Sequence, residues 1–285
     1  MEKNNLLIVI LSSKKWKKRD YLFYFLFIPS ILIFIFFLPS GIKDLFTLKI
    51  NDPTIISIFF SNYTHENLKH LIDNLFGYLF IIFLLFNIEV NKRFLNFISL
   101  LNFILLPIIL SLLMIYYLPK NSPPVLGFSG IVSAFTGYLL YSTYAYIKHN
   151  YYSYLNHYFI VLLFMVNVII LSIYNPIMHI LLIPSLILTI ALLYLNIKPI
   201  KEIISKLILL PHQLIEQISI WIYKFTIFSL TFFFIFSLWI FLPYNIKIGS
   251  ALINTLAHYS GYVFGVFVPM LIERLSGLFW IQSIP

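Results

Sequence analysis

Cysteine is absent from this chain of 285 residues, which excludes disulfides, a thiol nucleophile and any thiolate metal site. Charge is scarce as well. Asp, Glu, Lys and Arg make up 10% of the residues, against roughly 25% in a soluble domain, so a water-facing globule is excluded. With only 10 acidic residues, most of the available chemistry lies with hydroxyls, amides and the 7 histidines.

Apolar residues are abundant. They make up 61% of the chain, with 30 Phe and 20 Tyr, a composition that suits a lipid-facing surface with aromatic belts at the interfaces. The formal net charge of +9 would suggest nucleic acid in a soluble protein. Here the basic residues cluster in short segments between apolar runs, so they read as topology. The bilayer is the expected partner, nucleic acid is not, and no cofactor is implied.

A helix needs about 20 apolar residues to cross the hydrocarbon core. Eight stretches qualify, approximately 21–40, 68–88, 94–118, 127–147, 156–174, 177–197, 220–242 and 250–272. The expected class is therefore all-α, a polytopic transmembrane helix bundle forming a single domain over 1–285. "KKWKKRD" before the first crossing resembles a signal peptide's basic start, but the apolar run is too long and lacks a small-residue cleavage site. Residues 1–20 read as a basic cytoplasmic N-terminus.

Eight crossings then return the C-terminus to the same side. Lys43, Lys49, Lys69, Lys120 and Lys247 fall outside, and the other fourteen of the 19 basic residues fall inside, as the positive-inside rule requires. Residues 41–67 form a long outer loop. Residues 198–219, "KPIKEIISKLILLPHQLIEQIS", mix Lys and Glu with Ile and Leu as an in-plane interfacial helix does, with a break expected at Pro211.

Polar groups inside membrane helices are costly and mark functional candidates. Three constellations stand out: "HENLKHLIDN" at 65–74, "GFSG" at 127–130, and "AHYSGYVFG" at 257–265. Under this topology the second, fourth and eighth crossings all run from outside to inside. His70, Asn74, Ser129 and His258 then lie within about two turns of the outer ends of their helices. Gly130, Ala134 and Gly137, and likewise Ala257, Gly261 and Gly265, are small-residue stripes that let helices approach closely. His258 shares a face with Gly261 and Gly265, so packing of the two stripes would carry its imidazole toward the Ser129 hydroxyl, where it can act as a base.

"HENLKH" tempts a metalloprotease reading, but its histidines are five apart, about 140° around a continuous helix, and would not converge on one metal. No metal site is expected. His70 and Asn74 are four apart on one face and present two hydrogen-bond donors. With the Ser129 backbone N–H they can form an oxyanion hole.

Together, "HENLKHLIDN", "GFSG" and "AHYSGYVFG" resemble the motifs of the rhomboid intramembrane serine proteases: a histidine, histidine and asparagine pattern, a GxSG nucleophile motif and an AHxxGxxxG helix. The resemblance covers about a tenth of the chain. It implies a rhomboid-like core and a Ser-His dyad without a third carboxylate. The expected substrates are transmembrane protein segments, cut near the outer membrane face. It assigns Ser129 as nucleophile and His258 as general base, then acid. His70 and Asn74 support the oxyanion, and Gly127, Gly130, Gly261 and Gly265 are structural.

Three features depart from the pattern. Three crossings, rather than one, separate the serine and histidine helices, two more crossings in all than the six-helix form. Residues 41–64 contain neither Trp nor Arg, and Ser133 stands where several members carry an aromatic residue. A plasma-membrane location follows if the Ile-, Lys- and Asn-rich chain is prokaryotic. The alternative from another class is a catalytically silent rhomboid-like protein that binds membrane clients. A transporter is disfavoured by the lack of an inverted repeat or of a mid-membrane carboxylate.

Overall fold

The computed structural model describes residues 16–208, 215–237, 247–248, 251–252 and 255–276. The chain is a helical integral membrane protein. We number the helices in chain order: α1 Lys18–Phe36, α2 Ser40–Phe46, α3 Ile55–Phe60, α4 Leu68–Ile88, α5 Lys92–Tyr117, α6 Ser129–Asn150, α7 Tyr158–Tyr174, α8 Leu182–Ile208, α9 Ile215–Phe236 and α10 Thr255–Ser276. Strand pairing among the described residues is limited to Lys247–Ile248 with Ala251–Leu252 and a bridge between Leu48 and Val125.

Each of the eight apolar stretches carries a helix. Five are long and apolar enough to cross a membrane: Lys18–Phe36, Leu68–Ile88, Lys92–Tyr117, Met178–Lys206 and Thr255–Leu275. Two are shorter, Tyr158–Tyr174 and Trp221–Phe236. The eighth, α6, is less apolar for a physical reason. Every residue from Gly130 to Tyr144 is buried, so α6 is surrounded by protein instead of lipid and does not need an apolar exterior.

Local chemistry sets the helix ends. Asn67 caps α4 by accepting the His70 N–H at 2.9 Å, and Asn91 caps α5 by accepting from Phe94 N–H at 3.1 Å, as N-cap side chains do. Helices α1 and α5 both widen to a π turn, over Leu22–Phe27 and Leu101–Leu105. Each widening lies just before a proline, Pro29 and Pro107. A proline ring clashes with the carbonyl four residues earlier, and a locally wider turn relieves that clash.

Within the connection 41–67 the chain holds most of α2, all of α3 and a 3₁₀ turn over Ser61–Tyr63. One expectation about the connections needs correction, that for residues 198–219. Residues 198–219 are not a helix of their own. Residues 198–208 prolong α8 straight through Pro199, and 215–219 open α9. Residues 209–214, including Pro211, lie outside the described residues. An amphipathic extension of a crossing helix carries the same Lys, Glu and Ile pattern as an in-plane helix, so periodicity does not separate the two.

Midway along α6, a buried carboxylate holds the bundle together. Glu89, just past α4 and 2% exposed, accepts hydrogen bonds from the Tyr138 hydroxyl at 2.7 Å, the Ser142 hydroxyl at 2.6 Å and the Asn91 N–H at 2.8 Å. A buried donor left without a partner costs about 1–3 kcal/mol. Glu89→Leu is therefore expected to lower unfolding stability by on the order of 3 kcal/mol in detergent, and Ser142→Ala by only about 1 kcal/mol. Equal denaturation midpoints for wild type and Glu89→Leu would refute this role.

Candidate active site

Helices α4, α6 and α10 bring the three sequence constellations together. A Cβ added to Gly261 would strike the Gly130 carbonyl, and one on Gly265 would strike the Ala134 carbonyl. One on Gly137 would strike the Tyr262 carbonyl and stand 2.9 Å from the Val266 nitrogen. Residue numbers rise together on both sides, so α6 and α10 run parallel with their backbones in contact. At the Ser129 end, the Gly130 Cβ position is 3.4 Å from both Cβ and carbonyl of Ala257, which seats His258 at the same level. His258 is 8% exposed.

Ser129 is the first residue of α6, and its chain reaches the helix through Gly127, whose φ is +130°. Side chains rarely adopt that conformation, and a Cβ there would also lie 2.7 Å from His70 Cε1. The backbone conformation requires glycine, and the His70 ring lies close against it. The Gly127 N–H donates to the Ser61 carbonyl at 2.9 Å, and the first α6 amide to pair with a backbone carbonyl is that of Ile131. The Ser129 and Gly130 amides are among the initial N–H groups that a helix leaves without an intrahelical acceptor. At the positive end of the helix dipole, they suit a developing oxyanion.

His70 reaches this mouth against Gly127. Asn74 is buried and engaged differently from expectation: its Nδ2 stands 3.1 Å from His65 Nε2. Because the amide is a donor, His65 Nε2 accepts and the imidazole proton sits on Nδ1. That nitrogen faces the Tyr63 carbonyl without a hydrogen bond of regular geometry. One Asn74 N–H is thus committed to His65, leaving the second for the site.

His65 is the residue that reasoning about helical spacing undervalued. A separation of about 140° holds only in continuous helix, whereas α4 begins at Leu68. His65 lies before its cap, and the His65 and His70 rings meet edge to face at 5.1 Å. Among the described residues no group of three or more His, Cys, Asp or Glu could hold a metal ion. Asp73 pairs with Lys69 at 2.7 Å on the exposed side.

Burial, with His70 as a cationic neighbour, drives the His65 pKa down to about 3. In the unfolded chain the group titrates near 6.5, so between those values the unfolded state binds the extra proton. Stability contributed by neutral His65 is complete above pH 6.5 and falls as pH drops, by up to about 1.4 kcal/mol per pH unit. Denaturation curves from pH 7 to pH 4 are expected to show this loss in wild type and a shallower one in His65→Gln. Identical pH slopes would contradict it.

A polar floor lies beneath Ser129. Asn62 Nδ2 donates to Ser111 Oγ at 3.0 Å and to the Pro107 carbonyl at 3.1 Å, and Ser111 Oγ donates to the Ile58 carbonyl at 2.6 Å. Ser61, Asn62, Ser111, Gly127, Ser129 and Ala257 line a cavity of about 10 Å³, room for a single water at most. Nothing in sequence spacing marks Ser61, Asn62 and Ser111, because their convergence depends on how α3 packs against α5. No Asp or Glu belongs to this group. Glu273, the nearest acid to His258 along α10, is instead bonded to the Tyr141 hydroxyl at 2.9 Å, to His157 at 3.2 Å and to Lys148 at 3.5 Å. No family model matches the chain, and no curated protein or solved structure matches it.

Proposed function

We propose that this protein is a serine protease of the rhomboid type that cuts transmembrane segments near the outer membrane face. The observation that carries the reading is the parallel contact of α6 and α10, which sets Ala257 against Gly130 and so brings the turn that carries His258 to the level of Ser129. Ser129 attacks the scissile carbonyl while His258 takes its proton and then delivers it to the leaving amine. The Ser129 amide, His70 and the second N–H of Asn74 stabilise the oxyanion. In this reading the packing of α10 against α6 orients the His258 imidazole.

In this reading all eight helices cross the bilayer and both termini are cytoplasmic. The basic side faces inward, in a prokaryotic plasma membrane. A regular helix hides its carbonyls in internal hydrogen bonds, so substrates carry Gly, Pro or small residues near the cut. A cavity of about 10 Å³ admits no peptide, so a lateral opening must precede binding.

The test is labelling of purified protein in a lipid bilayer with a fluorophosphonate probe. Wild type is expected to label, and Ser129→Ala and His258→Ala are not. Labelling retained by Ser129→Ala removes the nucleophile assignment. Absence of labelling in folded wild type favours a protein that binds membrane clients without cutting them.

A further inference from the structure

A second cavity lies away from Ser129. It is a groove of about 780 Å³ between α1 and α5, within the size range of ligand sites. Along α1 it extends from Arg19 to Ile35, about 24 Å at 1.5 Å per residue, longer than the roughly 15 Å of one leaflet's hydrocarbon. The walls are apolar, with Phe27 and Ile31 on one side and Leu100 and Ile104 on the other. Both π turns line it through Phe23, Tyr24 and Phe27 of α1 and Phe103 and Ile104 of α5. Such turns recur at functional sites.

The end at Arg19 is polar, and its charges do not cancel. Asp20 is buried and satisfied, bonded to Lys92 and to the Lys17 N–H. Among the described residues no acceptor engages the exposed Arg19 guanidinium. Asn96, also lining the groove, uses its Oδ1 to accept from the Tyr24 hydroxyl at 3.0 Å, which leaves its amide N–H groups for a ligand. The groove therefore offers a long apolar channel with unopposed donors at its basic mouth. Phe59, Phe60 and Tyr63 add further aromatic lining.

We infer that this groove binds one anionic phospholipid, with the phosphate on Arg19 and Asn96 and an acyl chain between α1 and α5. The basic residues Lys17, Lys18, Lys92 and Arg93 around the mouth raise the local concentration of anionic lipid, as basic segments at a membrane face do. The inference is independent of any catalytic role.

Native mass spectrometry of the delipidated full chain, titrated with phosphatidylglycerol or phosphatidylcholine of matched chains, tests it. Wild type is expected to retain one phosphatidylglycerol with a preference of roughly fivefold over phosphatidylcholine, the factor one Arg supplies near a membrane surface. Arg19→Gln should abolish the preference. Ile31→Trp, which fills the channel, should remove retention of both lipids, and unchanged melting of each variant verifies folding. Three outcomes overturn the proposal: equal retention of the two lipids by wild type, a preference that survives Arg19→Gln, or retention unaffected by Ile31→Trp.

Discussion

Hydrolysis of a fluorogenic transmembrane peptide with a Gly-Ala pair in its outer third is expected to fall roughly 10⁴-fold or more in Ser129→Ala, and similarly in His258→Ala. The double variant is expected to lose no more than either single one. In the proposed reaction the two groups act in one step. Without the imidazole, the hydroxyl keeps its proton and is a poor nucleophile at neutral pH. Without the hydroxyl, the base has nothing to activate. Losses that multiply in the double variant would show two independent contributions and defeat the dyad. A His258→Ala enzyme within tenfold of wild type would do the same. Asn74→Ala should cost less, about 10²-fold, the range found for one oxyanion donor, because the backbone amide and His70 remain.

Much of this arrangement was legible in the residues. Small residues every three or four positions in 130–137 and 257–265 predicted a close helix pair, and backbone contact at Gly261 and Gly265 is what the structure has. The count of crossings between Ser129 and His258 predicted parallel helices, and rising residue numbers across the contact agree. Hydropathy found the helices, including central α6, whose apolar residues are diluted by Ser, Thr and Tyr.

What stayed hidden depended on contacts between distant segments or on where a helix begins. His65 looked misplaced for α4 because Asn67, two residues later, ends up as the cap. The floor of Asn62 and Ser111 spans 49 residues of sequence, and neither residue sits in a motif. Glu89 gave no signal either, since a lone acid after a crossing is ordinarily a solvated end. Only the approach of Tyr138 and Ser142 from α6 makes it a buried acceptor. The two π turns had a cue in Pro29 and Pro107, but the groove between them follows from packing alone.

The second large effect comes from a single methyl group. Gly265→Ala places a Cβ inside the van der Waals radius of the Ala134 carbonyl oxygen, 2.7 Å from its carbon and 2.9 Å from the Tyr138 nitrogen. All three are backbone atoms of α6, so no side chain can swing away and the helices themselves must separate, by on the order of 1 Å. Overpacking of this kind costs about 1–3 kcal/mol, occasionally more. A displacement of that size between reacting groups can lower the rate by about 10²-fold. Gly261→Ala meets the Gly130 carbonyl directly, one turn nearer Ser129, and is expected to lose at least as much fluorophosphonate labelling rate. Gly41→Ala is the control, because a Cβ there meets nothing within 4 Å, and both its stability and its labelling should match wild type. If Gly265→Ala labels at the wild-type rate with unchanged unfolding, the backbone contact between α6 and α10 does not exist. Its loss would take with it the argument that seats His258 at Ser129.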